Sequence, residues 1–597
     1  MNSLVFTIIS CLFFMGLIAV YSYIKTKNQV NSSDGYFLAG RGLTGGFIAG
    51  SLLLTNLSAE QLIGLNGQAY SANMSNMAWE VTAGFSVIIL ALVLLPRYLG
   101  GAFSTLPGFL SSRFDDGVRR YVVVLFMLGY GLVTIPSVLY SGAIAVLQLF
   151  DLPGLMGISI DQAVWIMVWM IGLIGAAYAI FGGLKAVAIS DTLNGIGLLL
   201  IGLTVPVIGL ISLGSGNFLD GIYTITTTNP EKLNAIGSRD DAIPFGTIFT
   251  GMIFMNLFYW GTNQYVIQRT LGAKSLAEGQ KGALLTGFYK LLVPLLMMIP
   301  GVIAFHLYGG ELDPIDLAYP TIVANLLPGF LSGFFLAMLL GAVFSSFNSL
   351  LNSASTMFAY DIYKAGINPQ ATDTQMIRVS KWFGTILALI SFFVAPMLMN
   401  APDGLWNIIR EFTGFFNIPI ITIVLVGIFT KRVPAVGAKI VIIFHVISYY
   451  FLIWGLPTFF GVEIPISFVH ISAVLFVIEV GIMLAAGRIR PLEKEHQFYA
   501  NAKVDMTPWK YSLPVTIVLF SLIILAYLVF SPIGAAYAGG VVSGWFFPAV
   551  GALLLLTAVF YVKALQSWRD KYEHFVQTTH EEAVQRTLER ERDEHLG

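Results

Sequence analysis

Long apolar runs divide this chain, each about the length that crosses a bilayer, with the charges collected between them. A span needs about 17–25 apolar residues. By that measure helices are predicted near 3–25, 45–70, 76–97, 119–148, 160–182, 186–213, 245–268 and 279–308. Others are predicted near 321–363, 377–399, 404–429, 435–456, 464–486, 512–531 and 541–565. The expected fold class is all-α integral membrane, with about 15 transmembrane helices. Runs longer than a minimal span imply tilt, breaks or extension into water.

Two runs carry polar residues where lipid should be. Thr55-Asn56-Leu57-Ser58-Ala59-Glu60-Gln61 is a polar heptad set between Phe47–Leu54 and Leu62–Leu65. Asn256, Tyr259, Trp260, Asn263 and Gln264 interrupt a second run that also holds Gly251 and Gly261. A charge at mid-depth costs about 2.5–3.5 kcal/mol on insertion scales, and irregular backbone at that depth survives only where it lines a cavity or is buried in protein. Such interruptions in the first and sixth helices of a ten-helix core point to two discontinuous helices and a central solute site. Packing glue from Asn, Ser and Thr is the plainer reading of any one of these residues. It does not account for Glu80 with Lys290.

Lys290 lies in Leu284–Ile299, which is otherwise uncharged, so its ammonium needs a carboxylate or a polar solute, and Glu80 is the candidate partner. Trp79, Tyr259 and Trp260 add flat apolar faces. Hydroxyls matched by Asn, Gln, Glu and Lys, with a ring laid on an aromatic plate, suit a sugar; the plainer reading of the aromatics is core or interfacial belt. Ala342, Ser345 and Ser346 fall on one helix face. With carbonyls freed by a broken helix around Leu54 and Leu57, they offer five neutral oxygens to a hard cation such as sodium. A Ser-Ser pair alone is more often bonded back to the preceding turn.

Composition narrows the class. The chain is 56% hydrophobic and 11% charged, with mean hydropathy +0.78, too little charge to cover a soluble protein of this size. A net charge of −1 gives nucleic acid nothing to bind. Cys11, the only cysteine, excludes an intrachain disulfide and a cysteine metal cluster. Leu4–Tyr23 lacks the basic flank and cleavage site of a signal peptide and reads as a span. Lys and Arg concentrate in alternate loops, the mixed loop 214–244 excepted, which puts the N-terminus outside and the C-terminus in the cytoplasm. The charged tail from Ser567 reads as a solvated helix or a disordered extension. There is no His-Glu-x-x-His and no nucleophile elbow, and the seven histidines read as scattered or in loops and tail, so no enzyme is expected. A channel would need a continuous polar stripe or charge rings, whereas here the polar groups gather at mid-depth.

Gly35-Tyr36-Phe37-Leu38-Ala39-Gly40-Arg41 and Asn56-Leu57-Ser58-Ala59-Glu60-Gln61-Leu62-Ile63-Gly64 belong to a set of specific motifs. Asn263-Gln264-Tyr265-Val266-Ile267-Gln268-Arg269-Thr270-Leu271, Ala273-Lys274-Ser275 and Leu351-Asn352-Ser353-Ala354-Ser355-Thr356, running to Asp361-Ile362-Tyr363-Lys364, complete it. Together, over roughly 35–430, they resemble the solute:sodium symporter family, most of all its bacterial sodium/sugar members. The resemblance implies the leucine-transporter fold, with inverted five-helix repeats over 45–213 and 245–430. Around them would lie an extra helix and loop over 1–44, an extracellular loop over 214–244, extra helices over 431–566 and a tail over 567–597.

It further implies a sodium site of the Leu54, Leu57 and Ala342 carbonyls and the Ser345 and Ser346 hydroxyls, with Asp191 near the sodium path. Sugar contacts are implied for Gln61, Glu80, Asn256 and Lys290, with Tyr259 and Trp260 stacking on the ring or closing over it. Three positions depart from the pattern: Trp79 stands where a sodium/galactose member has Tyr, Ala83 where it has Ser, and Arg410 where a Gln is expected. Arg410 admits an acidic or sulfated sugar. The favoured expectation is a sodium-driven importer of a neutral hexose such as galactose or glucose, taking one sodium and no other cofactor. It would sit in the cell membrane, with its oligomeric state left open.

Overall fold

The computed structural model describes residues 2–26, 37–150, 154, 157–239, 241, 243–312, 315, 318–400, 405–462, 464–497 and 504–596. The described residues are helical apart from connections. The chain enters through α1 (Asn2–Thr26) and an interrupted pair, α2 (Gly45–Asn56) and α3 (Ala59–Ser71). Then come α4 (Met74–Gly100), α5 (Asp116–Ile144) and α6 (Ile160–Leu213). A second interrupted pair, α7 (Gly251–Gly261) and α8 (Gln264–Leu271), precedes α9 (Leu276–Tyr308), α10 (Gly329–Ile367) and α11 (Asp373–Met399). The remaining long helices are α12 (Leu405–Phe429), α13 (Ala435–Phe460), α14 (Phe468–Ile489), α15 (Ser512–Val529) and α16 (Phe546–Leu596), and short helices over Leu106–Arg113, Phe218–Thr227 and Ala318–Leu326 lie in the connections. Among the described residues, eleven helices are long and apolar enough to cross a membrane. Phe6–Ser22 and Ile160–Ala176 are shorter apolar stretches, and the two interrupted pairs account for the rest of the expected spans.

Both predicted interruptions are present, and their hydrogen bonds explain them. In the first, the Leu57 N–H closes the ladder on the Leu53 carbonyl, Ser58 N–H turns to the Asn56 carbonyl, and the next ladder opens with Leu62 N–H on the Ser58 carbonyl. The carbonyls of Leu54, Thr55 and Leu57 thus leave the helical ladder. In the second, Thr262 and Asn263 both direct their N–H to the Phe258 carbonyl, and Asn263 takes extended backbone before α8 begins.

The expected helices near 160–182 and 186–213 form one continuous helical run, α6. A straight helix of 54 residues would be about 80 Å long, against a hydrocarbon core of about 30 Å. The run is not one straight rod. Gly175 packs on Phe347 and Gly197 on Met338 of α10; a straight rod would hold those glycines ~33 Å apart, yet their partners lie only ~14 Å apart along α10. Burial falls from centre to edge: 72% of the α4 span is covered by protein, against 28% of α15 and 0% of the membrane part of α16. Where α2 crosses α9 the backbones nearly touch, since a Cβ at Gly282 would lie 2.5 Å from Ile48, so only glycine permits the crossing.

The ends are tied by ion pairs and caps. Arg119 at the start of α5 pairs with the buried Asp361 of α10 at 2.6 Å. The Arg113 guanidinium caps the end of α12 through the carbonyls of Gly427 (2.7 Å) and Thr430 (2.9 Å), and burial pushes its pKa down to about 10. The charged tail is a helix continuous with α16. It stays on the protein for its first turns, because Tyr572 is buried and its hydroxyl accepts Gln280 Nε2 at 2.8 Å.

Candidate functional site

A cavity of about 160 Å³ lies where the two interrupted pairs meet α4, α5, α9, α10 and α12. On its walls are Asn56, Gln61, Trp79, Glu80, Asn256, Tyr259, Trp260, Lys290 and Ser346. Six of the seven residues expected to touch the sugar are therefore in one place: Gln61, Glu80, Asn256, Tyr259, Trp260 and Lys290. The side chain of the seventh, Arg410, lies outside the described residues. Its neighbours along α12, Ile409 and Thr413, both line the cavity.

Glu80 and Lys290 form an ion pair in which each side chain is nearly fully buried. Lys290 also donates to Asn56 Oδ1, at the broken helix, and its ammonium sits 5.4 Å from the Trp260 ring centre. Gln61 gives Nε2 to Glu80 Oε1 at 3.1 Å. Its own Oε1 is buried and takes no hydrogen bond from a described residue. One acid thus draws α3, α4 and α9 together, and the pair cancels its own charge. Asn256 Nδ2 bonds Thr82 Oγ1 at 2.9 Å, joining α7 to α4. On the α5 side, Tyr130 donates to Asn263 Oδ1, while Tyr265 and Tyr259 share a hydroxyl–hydroxyl bond of 2.8 Å.

The expected sodium ligands converge in part. Ser346 Oγ donates to the Thr55 carbonyl at 3.4 Å, so α10 faces the interruption between Leu54 and Leu57. Ser345 lies beside the Asp191 carboxylate instead. The Leu54 side chain is outside the described residues; its expected ligand is the backbone carbonyl. Asp191 does not line the cavity. It accepts from Ser51 Oγ (2.8 Å), which in turn accepts from Arg269 Nε (3.2 Å), and Arg269 Nη2 stands 3.7 Å from the carboxylate and donates to Ser349. Asp191 and Arg269 thus form a second buried pair, beside Ser51 and Ser349. Among the described residues no group of three His, Cys, Asp or Glu side chains forms a metal centre.

Several wall residues went unnamed in the sequence reading. Tyr130, Thr413, Phe416 and Asn417 line the cavity from α5 and α12. They lie on ordinary amphipathic turns, and no local signal separates them from packing residues. Of the seven histidines, read as scattered or in loops and tail, His445 is fully buried within α13, against Glu479 of α14 at 2.5 Å.

A family model for the sodium:solute symporter family matches residues 36–444. The chain belongs to that family. It is 44% identical over 97% of its length, and 99% of the other's, to an uncharacterized symporter, YidK, of Escherichia coli. It is 31% identical to the sodium/glucose cotransporter of Vibrio parahaemolyticus, over 69% of this chain and 78% of that one. The human sodium/myo-inositol cotransporter 2 is 30% identical over 72% of this chain and 66% of its own length. A substrate-bound, outward-open sodium-coupled sialic acid symporter superposes with a TM-score of 0.69 at 20% identity, covering 82% of this chain and 99% of the other. The fold is the leucine-transporter fold. This symporter is an integral membrane transporter of a sodium-coupled class and not an enzyme.

Proposed function

We propose that this symporter imports a neutral polyhydroxylated solute, most simply a hexose such as galactose or glucose, driven by one sodium ion. The observation that carries the reading is the Glu80–Lys290 pair within the cavity, flanked by Gln61, Asn56 and Trp260. A self-neutralised pair asks no net charge of the solute and offers hydroxyls both a charged acceptor and a charged donor. Gln61 Oε1 supplies a further acceptor, and Trp79, Tyr259 and Trp260 supply ring faces. The names of the Vibrio and human relatives, for glucose and myo-inositol, agree with that chemistry.

In this reading sodium binds the Leu54, Leu57 and Ala342 carbonyls and the Ser345 and Ser346 hydroxyls, and Asp191 lies on its path. Sodium there fixes α10 against the broken helix, which orders Asn56 and Gln61 for the solute. The coupling is reciprocal, so the solute tightens sodium by the same factor. Repeats over 45–213 and 245–430 alternate access about the site, with Tyr259 as inner gate, the N-terminus outside and the C-terminus in the cytoplasm. A second reading, an acidic or sulfated sugar, is favoured by the position of Arg410 between two cavity residues of α12. Uptake into proteoliposomes, with sodium against potassium and with hexoses, cyclitols, uronates and sulfated sugars as competitors, separates the two. Competition by neutral hexoses supports the first reading. Transport of a uronate or sulfated sugar that galactose and glucose do not compete for replaces it with the second.

A further inference from the structure

Helix α12 carries Pro419 in its interior where it passes the cavity. Pro419 has no N–H to give the Phe415 carbonyl, and the neighbouring Ile418 N–H donates to Asn417 Oδ1 at 2.6 Å. The Gly414 carbonyl is met by His445 Nε2 at 2.9 Å. The other imidazole nitrogen faces Glu479 Oε1 at 2.5 Å, and Glu479 Oε2 lies 2.9 Å from the Thr422 hydroxyl, which also reaches the Ile418 carbonyl at 2.8 Å. A carbonyl only accepts, so Nε2 carries a proton, and the Nδ1–carboxyl contact holds one more. Gly414 lies before Pro419 and Thr422 after it. The fully buried His445–Glu479 pair therefore splints α12 across Pro419.

Two residues before Pro419, Asn417 lines the cavity. Its oxygen is committed to its own backbone, so the amide orientation is fixed and the group left to offer is the donor Nδ2. We propose that Asn417 is a further solute-contacting residue, donating from Nδ2 to a solute oxygen, and that the His445–Glu479 pair is the device that positions it. The inference rests on the hydroxylated-solute reading above. It adds a contact from α12 that neither the motifs nor the relatives' names assign.

Asn417→Asp is the informative variant, because it keeps the acceptor for Ile418 N–H and replaces the donor with a second acceptor. At saturating sodium, the half-saturating solute concentration should rise tenfold or more. The sodium concentration that half-saturates sodium-induced tryptophan fluorescence without solute should stay within twofold. Glu479→Leu should weaken solute binding as well, and Glu479→Gln, which can still bridge His445 and Thr422, should restore it. In an Asn417→Asp background Glu479→Leu should add little, since both act through one contact. Unchanged solute affinity in Asn417→Asp overturns the contact, and additive effects of the two changes overturn the positioning role. A wild-type protein that takes up no sugar or polyol with sodium defeats the functional reading; wild-type uptake that Asn417→Asp leaves intact defeats this inference alone.

Discussion

Replacing Lys290 with Met removes the ammonium but keeps the length and apolar bulk of the side chain. Glu80, 2% exposed, then retains only the Gln61 amide at 3.1 Å. Breaking a buried pair from one side costs about 3–5 kcal/mol, because the surviving charge is left without compensation. The complementary change, Glu80→Gln, strands Lys290 on Asn56 and the Trp260 face and should cost a similar amount. Joining the two changes removes both charges, so the double variant should cost far less than the sum of the two single changes, about 6–10 kcal/mol. Thermal unfolding of the four proteins in detergent and sodium measures that cycle. Solute affinity should behave differently. A charged acceptor contributes about 1.5–3 kcal/mol and a neutral one about 0.5–1.5, so Glu80→Gln should weaken solute binding roughly five- to tenfold, and the double variant should not recover it. If the single costs simply add, the pair is not what holds α4 to α9, and the reasoning from burial fails.

Ser345→Ala and Ser346→Ala should each raise the sodium concentration that half-saturates uptake without lowering the amount of folded protein; near-normal sodium activation in the double variant would remove α10 from the cation site. Arg410→Gln should preserve or improve uptake of a neutral hexose, whereas loss of uptake of an acidic sugar in this variant would mark Arg410 as the anion contact. Outside the spans, burial, with Arg113 nearby, lowers the His496 pKa from 6.5 to about 4. The docked segment therefore holds this imidazole neutral, a contribution present above pH 6.5 that is lost as pH falls toward 4. Exchange of the Leu492 and His496 amides, bonded to the Arg432 and Lys431 carbonyls, should accelerate over that window after correction for intrinsic rate, and His496→Gln should flatten the change.

Much of the site was legible because lipid makes polar residues conspicuous. The heptad from Thr55 to Gln61 announced the broken helix, and a lone Lys290 in an apolar run required an acid that only a few positions could supply. Those inferences hold in three dimensions because the cost of an unpaired charge is independent of topology. The second pairing, His445 with Glu479, was not legible. Each residue sits near the middle of its own apolar helix, and nothing in the intervening sequence says that the two helices face one another. Asn417 was hidden for another reason: beside Pro419 it looks like a residue tolerated at a kink, and only the cavity next to it gives its amide a task. The extent of α6 misled in the opposite direction, since two predicted spans share one helical run.

The last helix gives this protein a lever. From Tyr572, held against Gln280 near where α16 leaves the bundle, to Leu596, the helix continues for roughly 36 Å if straight. Gln280 belongs to α9, the helix that also carries Lys290. A tilt of only ~10° at the Tyr572 anchor would carry the far end ~6 Å sideways at that length. Motion too small to resolve at the cavity wall is thereby magnified at a distance from it, so a pair of distance labels, one near Leu588 and one on a loop of the bundle, would follow the transport cycle without any probe in the binding site.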